Sequence, residues 1–158
     1  MGAATPTGGP EPMQTPAVNG DGSRRARVLV ADDHQTLLDR VVAILNCEFA
    51  VIGTVSDGAT LIEAEAALRP DVLVVDVCMP GMSGIEAADH IRRRGSRAAV
   101  VCLTAHTERE VLEAAWDAGA LGYVSKASLA HDLVPAIRAA LEGRRFVSDC
   151  VMANPPIA

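Results

Sequence analysis

The chain has 158 residues, is 49% hydrophobic and 22% charged, and carries a formal net charge of −6. That length suits one domain with tails, and that apolar share suits a real core. No apolar run approaches the roughly 20 residues a membrane helix needs, and the acidic balance argues against broad nucleic-acid binding by this chain.

The start lacks a basic-then-apolar leader, so a cytoplasmic protein is predicted. Cys47, Cys78, Cys102 and Cys150 form no CxxC pair. His34, His90, His106 and His131 lack ligand-like spacing, so no structural zinc site is expected. Of fourteen Lys and Arg residues, thirteen are Arg and only Lys126 is Lys. A slim point charge at that one place is something Arg cannot supply.

Residues 1–25 hold four prolines and five glycines without an aromatic, which predicts a disordered tail or an added leader. Arg27 to Ala31 reads as a first strand ending in Asp32-Asp33. Leu37, Leu38, Val41, Ile44 and Leu45 then recur at helical spacing between His34 and Cys47. Phe49 to Val55 is a second strand. Ser56-Asp57-Gly58 starts a helix that Pro70 stops near Arg69. Asp71 to Asp76 is an apolar run without alternation, as expected of a strand buried on both faces. Pro80, Gly81 and Gly84 mark the loop after it.

A helix over about Gly84 to Arg94 follows, with Gly95 as its stop. Ala98 to Leu103 is a fourth strand, ending at Thr104. Thr107 to Glu110 reads as a capping box, so a helix runs from there to Gly119. Leu121 to Val124 is a short fifth strand before Ser125-Lys126. Ser128 can cap a last helix reaching Leu141, with Gly143 as its stop and Pro135 bending it or delaying its regular start. Residues 144–158 lose periodicity and read as a linker or frayed end. Alternation of five strands with five helices predicts a doubly wound, five-stranded parallel sheet covered on both faces.

In such a sheet ligands bind at the carboxyl ends of the strands. Asp32 and Asp33, Asp76, Thr104 and Lys126 all fall there. Three carboxylates together call for a hard cation, Mg²⁺ above all. A hydroxyl and an ammonium opposite them suit a phosphoryl group. The set reads as an aspartyl-phosphate site with Asp76 as the nucleophile. The bland alternatives are a solvated loop carboxylate at Asp76, a helix cap at Asp32 and plain strand packing at Tyr123. The buried strand and the partner carboxylates favour function at Asp76, and function is also the favoured reading at Asp32 and Tyr123.

Val30-Ala31-Asp32-Asp33-His34, the run from Asp76 to Gly84, Leu103-Thr104-Ala105 and Gly122-Tyr123-Val124-Ser125-Lys126 together resemble a response regulator receiver domain, a flavodoxin-like fold, over about residues 26–147. The Asp-Asp-His start and the ending Gly143 to Ser148 resemble the NarL/LuxR-type subgroup. The resemblance implies a receiver over 26–143, with 144–158 as linker or tail. It implies that Asp76 takes a phosphoryl group from a sensor histidine kinase. Asp33, Asp76 and the Cys78 backbone carbonyl then bind Mg²⁺, with Asp32 acting mostly through water. Lys126 and Thr104 contact the phosphoryl oxygens, Tyr123 swings inward, and the face of helix four, strand five and helix five changes. The same site would dephosphorylate itself, without being a dedicated enzyme. Cys78 and His106 would flank the phosphoryl group.

Leu112 and Trp116 form an i,i+4 pair beside the core stripe of the fourth helix. With Leu121 they are a candidate output patch for a partner or a second copy of the chain. The alternative is Trp116 folded over the core edge. Two departures from the family pattern stand out. Ala127 follows Lys126 where many receivers have a cis proline, and a cis bond to Ala would cost about 3 kcal/mol. Leu38 stands where the subgroup often has Arg.

No stretch after Phe146 could form a helix-turn-helix. The expected output is therefore DNA binding through a domain not present in this chain, or a single-domain regulator acting on a protein partner. A phosphorylation-independent receiver-like module is the rival class. A small-molecule phosphohydrolase lacks an acid/base residue and a cap. No membrane partner is expected.

Overall fold

The structure, a computed structural model, describes residues 24–105 and 109–149. The predicted tail (but for Arg24 and Arg25), His106, the Thr107-Glu108 start of the capping box, and residues 150–158 lie outside the described residues. The elements are β1 Arg27–Ala31, α1 Gln35–Leu45, β2 Ala50–Val55, α2 Gly58–Leu68, β3 Val72–Asp76, α3 Gly84–Arg93, β4 Ala99–Thr104, α4 Arg109–Asp117, β5 Gly122–Ser125, a 3-10 turn Lys126–Ser128, α5 Leu129–Leu141 and β6 Phe146–Val147. The strands are all parallel, in the order β2-β1-β3-β4-β5-β6.

The sheet therefore has six strands, not the expected five. Phe146 pairs with Gly122 and Val147 with Tyr123. Two residues are too few to show a period of two, so only tertiary pairing reveals this strand. Ser148, five residues past the expected boundary at 143, is fully buried.

Strand alternation sorts the core into two layers. Val28, Val30, Val72, Val74, Val101, Leu103 and Val124 face α1 and α5 and pack with Leu38, Val41, Leu133 and Ile137. Leu29, Ala31, Leu73, Val75, Val100, Cys102 and Tyr123 face the other way, onto Leu61, Ala87, Ile91 and Ala115. Burial and the charge of Asp76 push the Cys102 thiol up to about 12, so Cys102 behaves as a small apolar core residue. Leu38 lies in the core, which accounts for an apolar residue where the subgroup often has Arg.

Helix starts follow from local chemistry. Asp57 caps α2 by accepting from the Thr60 amide at 2.8 Å. α3 has a reciprocal capping box that sequence reading overlooked: Ser83 Oγ accepts from the Glu86 amide, and Glu86 Oε1 accepts from the Ser83 amide. α5 begins at Leu129 without a side-chain capping bond from Ser128, and runs through Pro135 to Leu141. Among the described residues no helix is long and apolar enough to cross a membrane.

Gly84 fixes the loop after β3. Its amide donates to the Val77 carbonyl at 3.0 Å. A Cβ there would lie 2.0 Å from the Asp76 carbonyl oxygen and 2.6 Å from Val75 Cγ1. Backbone cannot yield as a flexible side chain can, so Gly84→Ala is expected to destabilise the fold by about 3 kcal/mol. Chemical denaturation of the two proteins checks this.

Candidate functional site

Each strand of the central trio ends in a polar residue because the apolar layers stop where the sheet meets solvent. Asp32 follows β1, and its amide donates to the Val55 carbonyl at 3.0 Å. Asp76 closes β3 and Thr104 closes β4. Lys126 follows β5 directly. Asp32, Asp76 and Thr104 are buried, whereas Asp33 and His34 are exposed. The peptide between Lys126 and Ala127 is trans, as are all described peptides. Ser125 Oγ accepts from the Ala127 amide at 3.1 Å and shapes the 3-10 turn instead of a cis bond.

The charges converge. Lys126 Nζ lies 3.0 Å from Asp76 Oδ1 and 3.4 Å from Asp32 Oδ2. The Cys78 amide donates to Asp76 Oδ1 at 3.1 Å, and the His34 amide to Asp32 Oδ1 at 2.8 Å. Asp76 Oδ2 and Asp32 Oδ2 are buried without a hydrogen bond, and Asp32 Oδ2 is the oxygen that faces the Lys126 ammonium. Buried polar atoms normally find partners. Two that do not, on adjacent anions, fit a cation.

Donor atoms of Asp32, Asp33, His34 and Asp76 lie within 4.8 Å of one another. This oxygen-rich set suits Mg²⁺. His34 is the member that sequence reading did not single out. Its Nδ1 sits 3.2 Å from Asp33 and 3.4 Å from Asp32, and the only signal in the sequence was its place beside the Asp pair.

Burial raises the Asp76 carboxyl above its ordinary value. Lys126 opposes that shift and the Asp32 charge adds to it. Burial alone would lower the Lys126 ammonium, but the hydrogen bond and charge of Asp76 and the charge of Asp32 outweigh it, so its pKa rises. The ammonium is therefore held charged against a carboxylate that burial disfavours.

Thr104 pairs in register with Ser125, so its hydroxyl-bearing end sits level with the residue before Lys126. Tyr123 is fully buried, its ring centroid 6.5 Å from that of Trp116. The expected Leu112, Trp116 and Leu121 patch divides. Leu112 and Trp116 pack on the layer of Tyr123, and Leu121 packs on the opposite layer. Leu121 precedes β5, and its side chain turns to the α1 and α5 layer, away from Tyr123 and Trp116. Trp116 is half-buried, with the Arg145 guanidinium 4.7 Å from its ring centroid.

A cavity of about 730 Å³ at the opposite edge of the sheet is lined by Glu65, Arg69, Arg94, Ser96 and Arg97. It holds no comparable set of convergent carboxylates and ammonium, so the chemistry lies at the carboxyl edge.

The family model for the response regulator receiver domain matches residues 28–138. The chain belongs to this family. The receiver is 34% identical over 137 residues to the transcriptional regulatory protein PdtaR of Mycobacterium tuberculosis, covering 86% of this chain and 66% of that protein. It is 38% identical over 119 residues to the transcriptional regulatory protein LiaR of Bacillus subtilis, covering 74% of this chain and 56% of that protein. The chain thus spans less than two thirds of either relative.

Among solved structures it is similar to a two-component response regulator of the LuxR family from Aurantimonas sp. SI85-9A1. The TM-score is 0.78 at 33% identity, covering 82% of this chain and 94% of that one. Receiver domains of this family work in two-component signalling, with histidine kinases as partners, and generally bind Mg²⁺ at the acidic pocket.

The crowding of anions has a measurable consequence. In metal-free buffer Asp76→Asn removes a buried charge that repels Asp32 and leaves Lys126 paired with Asp32. The variant is expected to be more stable than the parent at neutral pH, by about 1 kcal/mol. The difference shrinks as pH falls through the raised Asp76 pKa, because the protonated parent then loses the same charge. Thermal unfolding across that range checks both the sign and its pH dependence.

Proposed function

We propose that this receiver is a phosphorylation switch in which Asp76 accepts a phosphoryl group from a phosphohistidine on a sensor kinase. The observation that carries the reading is the Asp76 carboxylate itself. It is buried, keeps Oδ2 without a hydrogen bond, and is oriented by the Cys78 amide and by Lys126 at 3.0 Å. A carboxylate oxygen of Asp76 attacks phosphorus, a P–O bond forms, and the P–N bond breaks with the imidazole as leaving group. Lys126 swings from carboxylate to phosphoryl oxygens, and Thr104 donates its hydroxyl to them. Hydrolysis reverses the state when water attacks phosphorus and restores the carboxylate.

The Asp33 and Asp76 carboxylates and the Cys78 carbonyl would hold Mg²⁺, with Asp32 acting through water. Bound there, the ion neutralises the charge gathered between nucleophile and phosphoryl group. Asp32 Oδ2 and Asp76 Oδ2, buried and without hydrogen bonds, support that assignment. Cys78 would flank the phosphoryl group. Self-dephosphorylation is the catalysis this reading assigns to the site.

Both curated relatives are transcriptional regulators by name. We propose the same output here, through a separate DNA-binding domain, with protein contact by an isolated receiver as the other route. The working compartment is then the cytoplasm. The domain body runs from residue 26 through the strand at Phe146–Val147, and the flanks act as tail and linker.

The test is incubation with Mg²⁺ and acetyl phosphate, read by intact mass, beside Asp76→Ala and a chelated sample. One phosphoryl adduct in the parent, none in the variant and none without metal is expected. An adduct that persists in Asp76→Ala, or a folded parent that takes none from either acetyl phosphate or a phosphohistidine donor, would contradict the proposal.

A further inference from the structure

The segment after α5 carries no periodicity, yet it ends on Ser148, a polar residue with no exposure at all. A hydroxyl so buried needs a partner, and the Ser148 hydroxyl and amide both bond to the backbone of one strand. The Ser148 amide donates to the Tyr123 carbonyl at 3.0 Å. The Ser125 amide donates to Ser148 Oγ at 3.0 Å. β6 stops at Val147, so the side chain of Ser148 supplies the acceptor that a longer strand would have supplied from its backbone. One residue thereby grips both ends of the stretch Tyr123–Ser125, which would otherwise be the open edge of the sheet.

Lys126 is the next residue. Its ammonium reaches Asp76 at 3.0 Å from a long, flexible stem, so where its backbone sits decides where the charge can go. Ser125 holds that backbone from three sides. Its strand position pairs with Thr104, its amide bonds Ser148, and its hydroxyl accepts from Ala127. A second anchor ties the same segment to α4. Arg145 lies over Trp116 at 4.7 Å, and Trp116 packs against Tyr123.

From this geometry we infer that Ser148 is a positioning residue for the phosphoryl site: its bonds to Ser125 and Tyr123 hold the end of β5 so that Lys126 meets the group on Asp76. The inference rests on Asp76 being the phosphoacceptor. It has a reciprocal side. If docking of residues 144–149 strengthens binding of a phosphoryl mimic, the mimic strengthens that docking by the same factor. The phosphorylation site and the segment leading out of the domain then share one set of hydrogen bonds.

The experiment uses the full chain as wild type, Ser148→Ala, Ser148→Thr and Glu48→Gln. The last loses the ion pair with Arg138 at the opposite edge and serves as a destabilised control. Two readouts are taken: phosphoryl uptake from acetyl phosphate, by intact mass, and affinity for beryllofluoride with Mg²⁺. Ser148→Ala is expected to lose roughly tenfold in both, Ser148→Thr to recover most of it, and Glu48→Gln to match wild type.

In wild type, beryllofluoride is expected to slow amide exchange over residues 144–149 severalfold, a measurement that needs no variant. Ser148→Ala no different from Glu48→Gln, Ser148→Thr no better than Ser148→Ala, or exchange unmoved by beryllofluoride each overturns the inference. A wild type that takes up no phosphoryl group and binds no beryllofluoride overturns the phosphoacceptor reading instead, and the inference with it.

Discussion

At the carboxyl edge of this sheet one ammonium is shared by two buried carboxylates with a third, Asp33, beside them, and the rest of the molecule holds that imbalance in place. Two of the anions, Asp32 and Asp76, are buried, where charge is hard to sustain without a partner. Lys126 touches both, yet each keeps an oxygen without a hydrogen bond. A site that is short of positive charge is receptive to a cation and, through the same ammonium, to a phosphoryl group. On the proposed function, a bulky planar guanidinium would fill the space the phosphoryl group enters, a reason for the chain's only lysine to stand here.

The fold serves this arrangement simply. Three apolar strands run parallel, so their polar ends arrive together. Their two packed layers leave the backbone little freedom to spread the charges apart. Gly84 lets the loop after β3 lie against the Asp76 carbonyl, and that close approach keeps the Asp76 carboxylate at the mouth of the site.

Much of this was legible in the sequence because it is written in local patterns. Val72 to Val75 is apolar on both faces, and a carboxylate follows it. Asp57 and Gly95 punctuate helices by their own chemistry. What escaped depends on contacts between distant segments. β6 is two residues long and exists only because β5 offers an edge. Ser148 has no local reason to be buried. Trp116 sits on a helix face that looks available for a partner until Arg145, 29 positions along the chain, is found over its ring. The Ser83–Glu86 capping box is a local signal that was overlooked. Leu121 is a similar case: it precedes β5, and only the packed chain shows its side chain on the layer opposite Trp116.

The measurement that tests the central claim most directly is calorimetric titration of Mg²⁺ into the metal-stripped protein and its Asp33→Asn variant. A charge-deficient acidic site predicts saturable binding of a single ion by the parent, with affinity sharply reduced in the variant, because a hard cation needs that carboxylate. No saturable binding by a folded parent, or binding indifferent to Asp33, would contradict the account.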